Sequence, residues 1–234
     1  MSLVLQIAST ASAEPVTVHQ EVTGLYNFGY AGRDTSGIDE HLRELAELGL
    51  PAPGAIPALF PLPPGNTTTA PHIVVSGANT YAEVEYVLIK TAEHGWVVTV
   101  GSDHSDLEVE RVSTPRSKAV CPDVVCADVW LLSDVLGHWD QVNVGLWANE
   151  AFASEPLQKG TMVELLAPPQ LIEVLEQRIR QTAPVGTVIF SGTIAGTPTP
   201  GAAGWSARLH DPVLGRSVEF AYSVHALVDE YLDA

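Results

Sequence analysis

Glu83 and Glu85, in Ala82-Glu83-Val84-Glu85-Tyr86-Val87, and Asp103, in Gly101-Ser102-Asp103-His104-Ser105-Asp106, are the residues of this chain best placed to do chemistry. On a β-strand, residues i and i+2 leave from one face, so both glutamates point one way and Val84 the other. Carboxylates so placed raise each other's pKa unless they are protonated, solvated or neutralised. The runs 83–90 and 95–101 read as strands turning at His94-Gly95, and an antiparallel hairpin there returns Asp103 to the glutamate pair. Three carboxylates meeting at one point suit magnesium, manganese or calcium better than zinc. Taken alone, the same acids also fit the solvated face of an amphipathic strand with Val84 and Val87 in the core.

Three further constellations could act beside them. His41 and Glu44 lie three residues apart on a helix expected from about Ser36 to Leu48, whose apolar stripe is Ile38, Leu42, Leu45 and Leu48. A carboxylate beside an imidazole raises its basicity and fixes its tautomer, as a general base for water requires; a core histidine with a surface glutamate is the plainer alternative. Lys118, in Ser117-Lys118-Ala119-Val120-Cys121-Pro122, could stabilise an oxyanion or protonate a carbanion, or be an ordinary surface lysine. In Gly186 to Gly196 a strand runs into a loop where Thr193 could approach a ligand, while Gly192 and Gly196 serve as turn glycines.

The elements that must position these groups are mostly strands. Strands are expected at 3–8, 16–23, 72–77, 83–90, 95–101, 141–149, 186–191, 205–210 and 216–223, with a second helix from about Pro169 to Thr182 and a mixed stretch at 119–135. The proline-rich, nearly uncharged stretch from Pro51 to Pro71 reads as an irregular surface connector. It divides an N-terminal part, 1–71, from a catalytic part, 72–234, unless the two form one continuous domain. Strands do not alternate regularly with helices, so a doubly wound parallel sheet is not expected, and the fold class is α+β, mainly β.

Composition narrows the partners. The chain has 234 residues, 46% of them hydrophobic and 17% charged, enough for one sizeable core or two small ones. A formal net charge of −17 argues against nucleic acids and anionic membranes as partners, since both require a basic footprint. No apolar run approaches the roughly 18 residues of a membrane span. The first residues offer an apolar run and an Ala-Ser-Ala cleavage site, but no basic region precedes them and Gln6 interrupts the run; a first strand is an equally good reading, and the expected location is cytoplasmic. Cys121 and Cys126 have no second pair and are expected as reduced, buried thiols.

Taken in order, these pieces resemble the fumarylacetoacetate hydrolase superfamily from about Gly29 to Gly201, and in particular a small bacterial branch of it. The superfamily's metal site is a Glu-x-Glu strand followed by Asp-x-Ser-x-Arg-Asp, matched here by Glu83, Glu85, Asp103 and Ser105. Lys118 with Cys121-Pro122 looks like a shortened form of its catalytic-lysine segment. The stretch 186–196 looks like its late glycine-threonine strand, with Ile194 replacing proline. Glu40 to Leu45 is similar to a short His-x-x-Glu helix of its acylpyruvate hydrolases and oxaloacetate decarboxylases. The branch is suggested by Gly29 to Asp34, Gly101 to Asp106, Ser117 to Pro122 and His138-Trp139-Asp140.

The resemblance implies the superfamily's mixed β-sandwich roll, a Mg²⁺ or Mn²⁺ site (Ca²⁺ being the further candidate) at Glu83, Glu85 and Asp103, and a homodimer. It implies hydrolytic C–C cleavage of a β-dicarbonyl or acylpyruvate-like 2-oxo acid through a metal-stabilised enolate. His41 with Glu44 would activate water, and Lys118 and Thr193 would steady the oxyanion. Decarboxylation, hydration, dehydration and isomerisation use the same chemistry, and a non-catalytic ligand-binding homologue is a third reading. Two departures stand out: Leu107 occupies the place of an arginine that holds a substrate carboxylate, and Glu110 that of a frequent glutamine. Either Arg33, Arg111 or Arg116 takes over, or the substrate is less anionic, or catalysis is lost. Arg33, Ser105, Arg116 and Gly192 are the expected substrate-binding residues.

Overall fold

Two twelve-residue strands, β7 (Thr80–Thr91) and β8 (Gly95–Asp106), form an antiparallel hairpin whose register sets Glu83 opposite Asp103 and Glu85 opposite Gly101. In this computed structural model, which describes residues 1–12, 14–34, 54–149, 152 and 155–227, that hairpin is the spine of the fold. Its turn is closed by Thr91, whose Oγ1 donates to Gly95 O and accepts from His94 N, while Gly95 takes a φ of 65° that favours glycine.

The hairpin is buried on both faces. Val84, Tyr86, Leu88, Val98 and Val100 face a core shared with Leu146, Trp205, Ala207 and Leu209. Val87, Ile89 and Val97 face a second core with Leu3, Leu5, Leu25, Val129, Val188 and Phe190. An amphipathic strand needs a wet face, and this one has none. That is why the solvated reading of the glutamates does not hold for this architecture.

The large sheet runs β2 (Val16–Glu21), β1 (Ser2–Ala8), β10 (Asp128–Leu131), β8, β7, β13 (Thr187–Phe190), β3 (Gly24–Gly29) and β4 (Ala58–Leu62). Beside it, β9 (Asp123–Val125) pairs with β8, and β5 (Thr67–Thr68) with β9. The second core is contributed by strands of this one sheet, β1, β3, β4, β7, β8, β9, β10 and β13, so the sheet is rolled around its own aliphatic interior. The other sheet, β12 (Gln158–Thr161), β11 (Asn143–Ala148), β14 (Gly204–Asp211), β15 (Arg216–Ala226) and β6 (His72–Val75), packs on the roll's outer face through the first core.

All nine expected strands are present, with β7 and β8 longer than expected. The expected Ser36–Leu48 helix lies outside the described residues. The late helix spans Pro168–Ile179, buries Leu171 and Leu175, and stops where Arg180 adopts a left-handed φ of 57°. The proline-rich connector needs correction: part of it is β4, antiparallel to β3 along the sheet margin. Pro61 is tolerated there because an edge strand has one unpaired side, where a missing N–H breaks no ladder. Strands from both sides of residue 71 share the large sheet. Both cysteines are free and buried, as expected.

Gly101 lies at a close crossing in the roll. A Cβ there would stand 2.5 Å from Val87 Cγ2, 2.8 Å from Phe190 Cε1 and 2.9 Å from Val124 O. Gly101→Ala is therefore expected to lower unfolding free energy by about 1–3 kcal/mol, measurable by denaturant titration. A wild-type midpoint would contradict that packing.

Candidate metal centre

At one end of the roll the inward-facing positions change from aliphatic to polar on several strands at once. On β3 Leu25 is followed by Asn27, on β9 Val125 is preceded by Asp123, and on β7 Val87 gives way to Glu85 and Glu83. Strand periodicity keeps each series on one face. The acids therefore converge as a continuation of the core: Asp103 and Asp123 are 0% exposed and Glu85 is 1% exposed.

Glu83, Glu85 and Asp103 each present an oxygen within 4.8 Å of the others. Lys118, buried on the helix Thr114–Ala119, places its Nζ 3.1 Å from Glu83 Oε2 and in closer contact with Asp103 Oδ2. Ser105 Oγ donates to Asp103 Oδ1 at 3.3 Å. Gly192, with φ of 82°, donates its N–H to Glu85 Oε2 at 2.7 Å. Asn27 Nδ2 donates to both oxygens of Asp123, at 3.3 and 3.2 Å.

Charge is out of balance here. Burial, then the Asp103 charge, holds Glu85 and Asp123 well above the usual carboxylate range; burial raises Glu83 too, with Asp103 and Glu110 adding to it and Lys118 opposing it. Burial alone would lower the Lys118 pKa, but Asp103, Glu83 and Glu85 together keep it well above its ordinary value, so it is an ammonium. One ammonium faces four carboxylates. Glu85 Oε1 is buried with no hydrogen-bond partner, a costly state for a carboxylate oxygen. An orphaned oxygen amid excess negative charge and hard oxygen donors fits a divalent cation.

The remaining expected residues fall in different places. Thr193 Oγ1 donates to Val84 O at 2.9 Å and accepts from Gln158 Nε2 at 3.0 Å, which ties its loop to the strand bearing the glutamates. Arg33 pairs with Asp140 (Nη1 to Oδ2, 2.9 Å) and donates from Nε to Leu165 O at 2.6 Å, so the structure does not bring it to the carboxylates. Arg116 and Arg111 are exposed. His41 and Glu44 lie outside the described residues. His104 and Ser102 face the other way and meet the Tyr222 hydroxyl at 3.0 and 2.8 Å; burial pushes the imidazole down to about 4.

Four participants were not anticipated. Asp123 and Asn27 support Asp103 from behind, Gln158 braces Thr193, and Tyr81 donates its hydroxyl to Glu110. Asp123 lies on a strand of three residues, too short for its alternation to show in the sequence. Nothing local marks Gln158.

The fold is shared with solved structures of low sequence identity. Cg1458 superposes with a TM-score of 0.61 at 15% identity, over 92% of this chain and 85% of that one. A 2-keto-3-deoxy-D-arabinonate dehydratase, complexed with magnesium and 2,5-dioxopentanoate, gives 0.60 at 15% identity, over 91% and 75%. The 4-oxalocrotonate decarboxylase from Pseudomonas putida G7, complexed with calcium and acetate, gives 0.57 at 15%, over 88% and 78%. The architecture is the mainly β roll of the fumarylacetoacetate hydrolase type. No curated protein matches the chain. A family model described as "Protein of unknown function (DUF2848)" matches residues 28–222. That range takes in the whole carboxylate set and most of both sheets, and the chain belongs to the DUF2848 family.

Proposed function

We propose that this protein is a divalent-metal-dependent enzyme of the fumarylacetoacetate hydrolase superfamily acting on a 2-oxo acid or β-dicarbonyl compound. The convergence of Glu83, Glu85 and Asp103 on one point, with Glu85 and Asp103 buried and Glu85 Oε1 unpartnered, is the observation that carries this reading. These three would hold Mg²⁺ or Mn²⁺, which when bound supplies Lewis acidity toward substrate carbonyl and carboxylate oxygens. The magnesium and oxo-acid complex of the dehydratase of like fold supports it.

The chain's own groups have distinct tasks. Gly192 N–H fixes one Glu85 oxygen and leaves the other free to ligate. Ser105 and Asp123 restrain Asp103. The Lys118 ammonium donates; it offers N–H groups to a substrate oxygen where negative charge develops, and a proton from Nζ. Burial of Glu85, Asp103, Asp123 and Lys118 limits water at the set, which strengthens each of these interactions.

Hydrolytic C–C cleavage is the first reading of the reaction, with His41 and Glu44 proposed as the water-activating pair. Decarboxylation or dehydration is the second, favoured by the dehydratase and the decarboxylase of like fold. Turnover in ¹⁸O-labelled water separates them: hydrolysis places the label in a product carboxylate, and an unlabelled carboxylate with C–C cleavage excludes it. Metal or ligand binding without turnover across a panel of oxo acids would establish the non-catalytic alternative. Among the described residues no helix is long and apolar enough to cross a membrane. A homodimer and a cytoplasmic location complete the proposal.

A further inference from the structure

Tyr81 precedes Glu83 by two residues and leaves β7 on the same face. Its hydroxyl donates to Glu110, at the end of the short helix Leu107–Glu110. The Glu110 charge acts on Glu83 and on the phenol of Tyr30. Glu110 is half-buried, so it stands beside the carboxylate set without being one of its three convergent members.

Among the described residues, positive charge is scarce at this point. Lys118 is the base whose charge acts on Glu83, Glu85 and Asp123, and its ammonium already lies on Glu83 and Asp103. Arg33 is engaged by Asp140, and Arg111 and Arg116 are exposed. An arm running from the carboxylate set toward Tyr81 would pass the Glu110 carboxylate and the phenols of Tyr81 and Tyr30. A second carboxylate on that arm meets like charge where water is partly excluded. A hydroxyl meets an acceptor oriented by Tyr81.

Resting on the proposed function, we infer that Glu110, held by Tyr81, sets substrate choice: the site takes 2-oxo acids whose far end carries a hydroxyl and rejects those ending in a second carboxylate. The test is calorimetric titration of the Mn²⁺-loaded protein with oxalate, 2-oxoglutarate and 5-hydroxy-2-oxopentanoate. Oxalate, which needs only the metal, reports on the site itself; if it does not bind, the proposed function fails and this inference with it. With oxalate bound, the hydroxy acid is expected to bind at least about tenfold tighter than 2-oxoglutarate. Glu110→Gln is expected to bring the two within roughly threefold by strengthening 2-oxoglutarate. Equal wild-type affinities overturn the inference alone, as does a Glu110→Gln variant that weakens both ligands equally.

Discussion

Asp103→Asn is expected to lower kcat/KM by more than about 100-fold and to weaken Mn²⁺ binding in parallel. Residues that only orient a metal ligand typically contribute about 10–100-fold, the range expected for Ser105→Ala. Asp103 is a member of the convergent set itself, so its removal should exceed that range. Asparagine keeps the side chain's size and an acceptor for one of its two donors, Ser105 or Lys118, and Lys118 retains Glu83, so the fold should persist. Kinetics and calorimetric Mn²⁺ titration on the same preparation check both halves. Metal-dependent turnover at wild-type affinity would contradict the assignment of Asp103.

Lys118→Met should divide metal binding from catalysis. Its ammonium is the compensating charge for Glu83 and Asp103, and breaking a buried pair typically costs about 3–5 kcal/mol. In a chain of this size the metal-free melting temperature should fall by roughly 10 °C. Added Mg²⁺ should recover part of that loss, since a cation bound only to the folded state stabilises it by mass action. Removing a positive neighbour should leave Mn²⁺ affinity equal or tighter, while turnover falls about 10²–10³-fold for want of the donor. Unchanged turnover would remove Lys118 from the chemistry. Lost metal affinity would show that the lysine supports the carboxylates in place and does not compete with a cation.

The hairpin and its carboxylates were legible because strand geometry is periodic. Glu83 and Glu85 are separated by one residue, and a turn near His94-Gly95 returns Asp103 to their neighbourhood; the loop between Thr91 and Gly95 sets it opposite Glu83. Whether those acids are wet or buried was not legible. That depends on a second sheet packing on one face and a rolled sheet closing over the other, both made by contacts distant in sequence. Asp123 was missed for the same reason: β9 has three residues, too few to show an alternation, and it meets Asn27 only through the roll. Arg33 illustrates the reverse. Its charge suggested a carboxylate partner in the substrate, and the fold supplies one in Asp140. The proline-rich stretch hid β4 because proline argues against a strand in general but not against an edge strand.

The central claim is that Glu83, Glu85 and Asp103 hold a divalent cation that presents a 2-oxo acid to Lys118. Crystals grown with Mn²⁺ and oxalate, measured at the manganese absorption edge, test it most directly. The account predicts one anomalous peak between the three carboxylates, ligated by Glu85 Oε1, with oxalate completing the coordination and within reach of Lys118 Nζ. Crystals that bind manganese elsewhere, or leave the three carboxylates neutralised by Lys118 and protons alone at saturating metal, would contradict it.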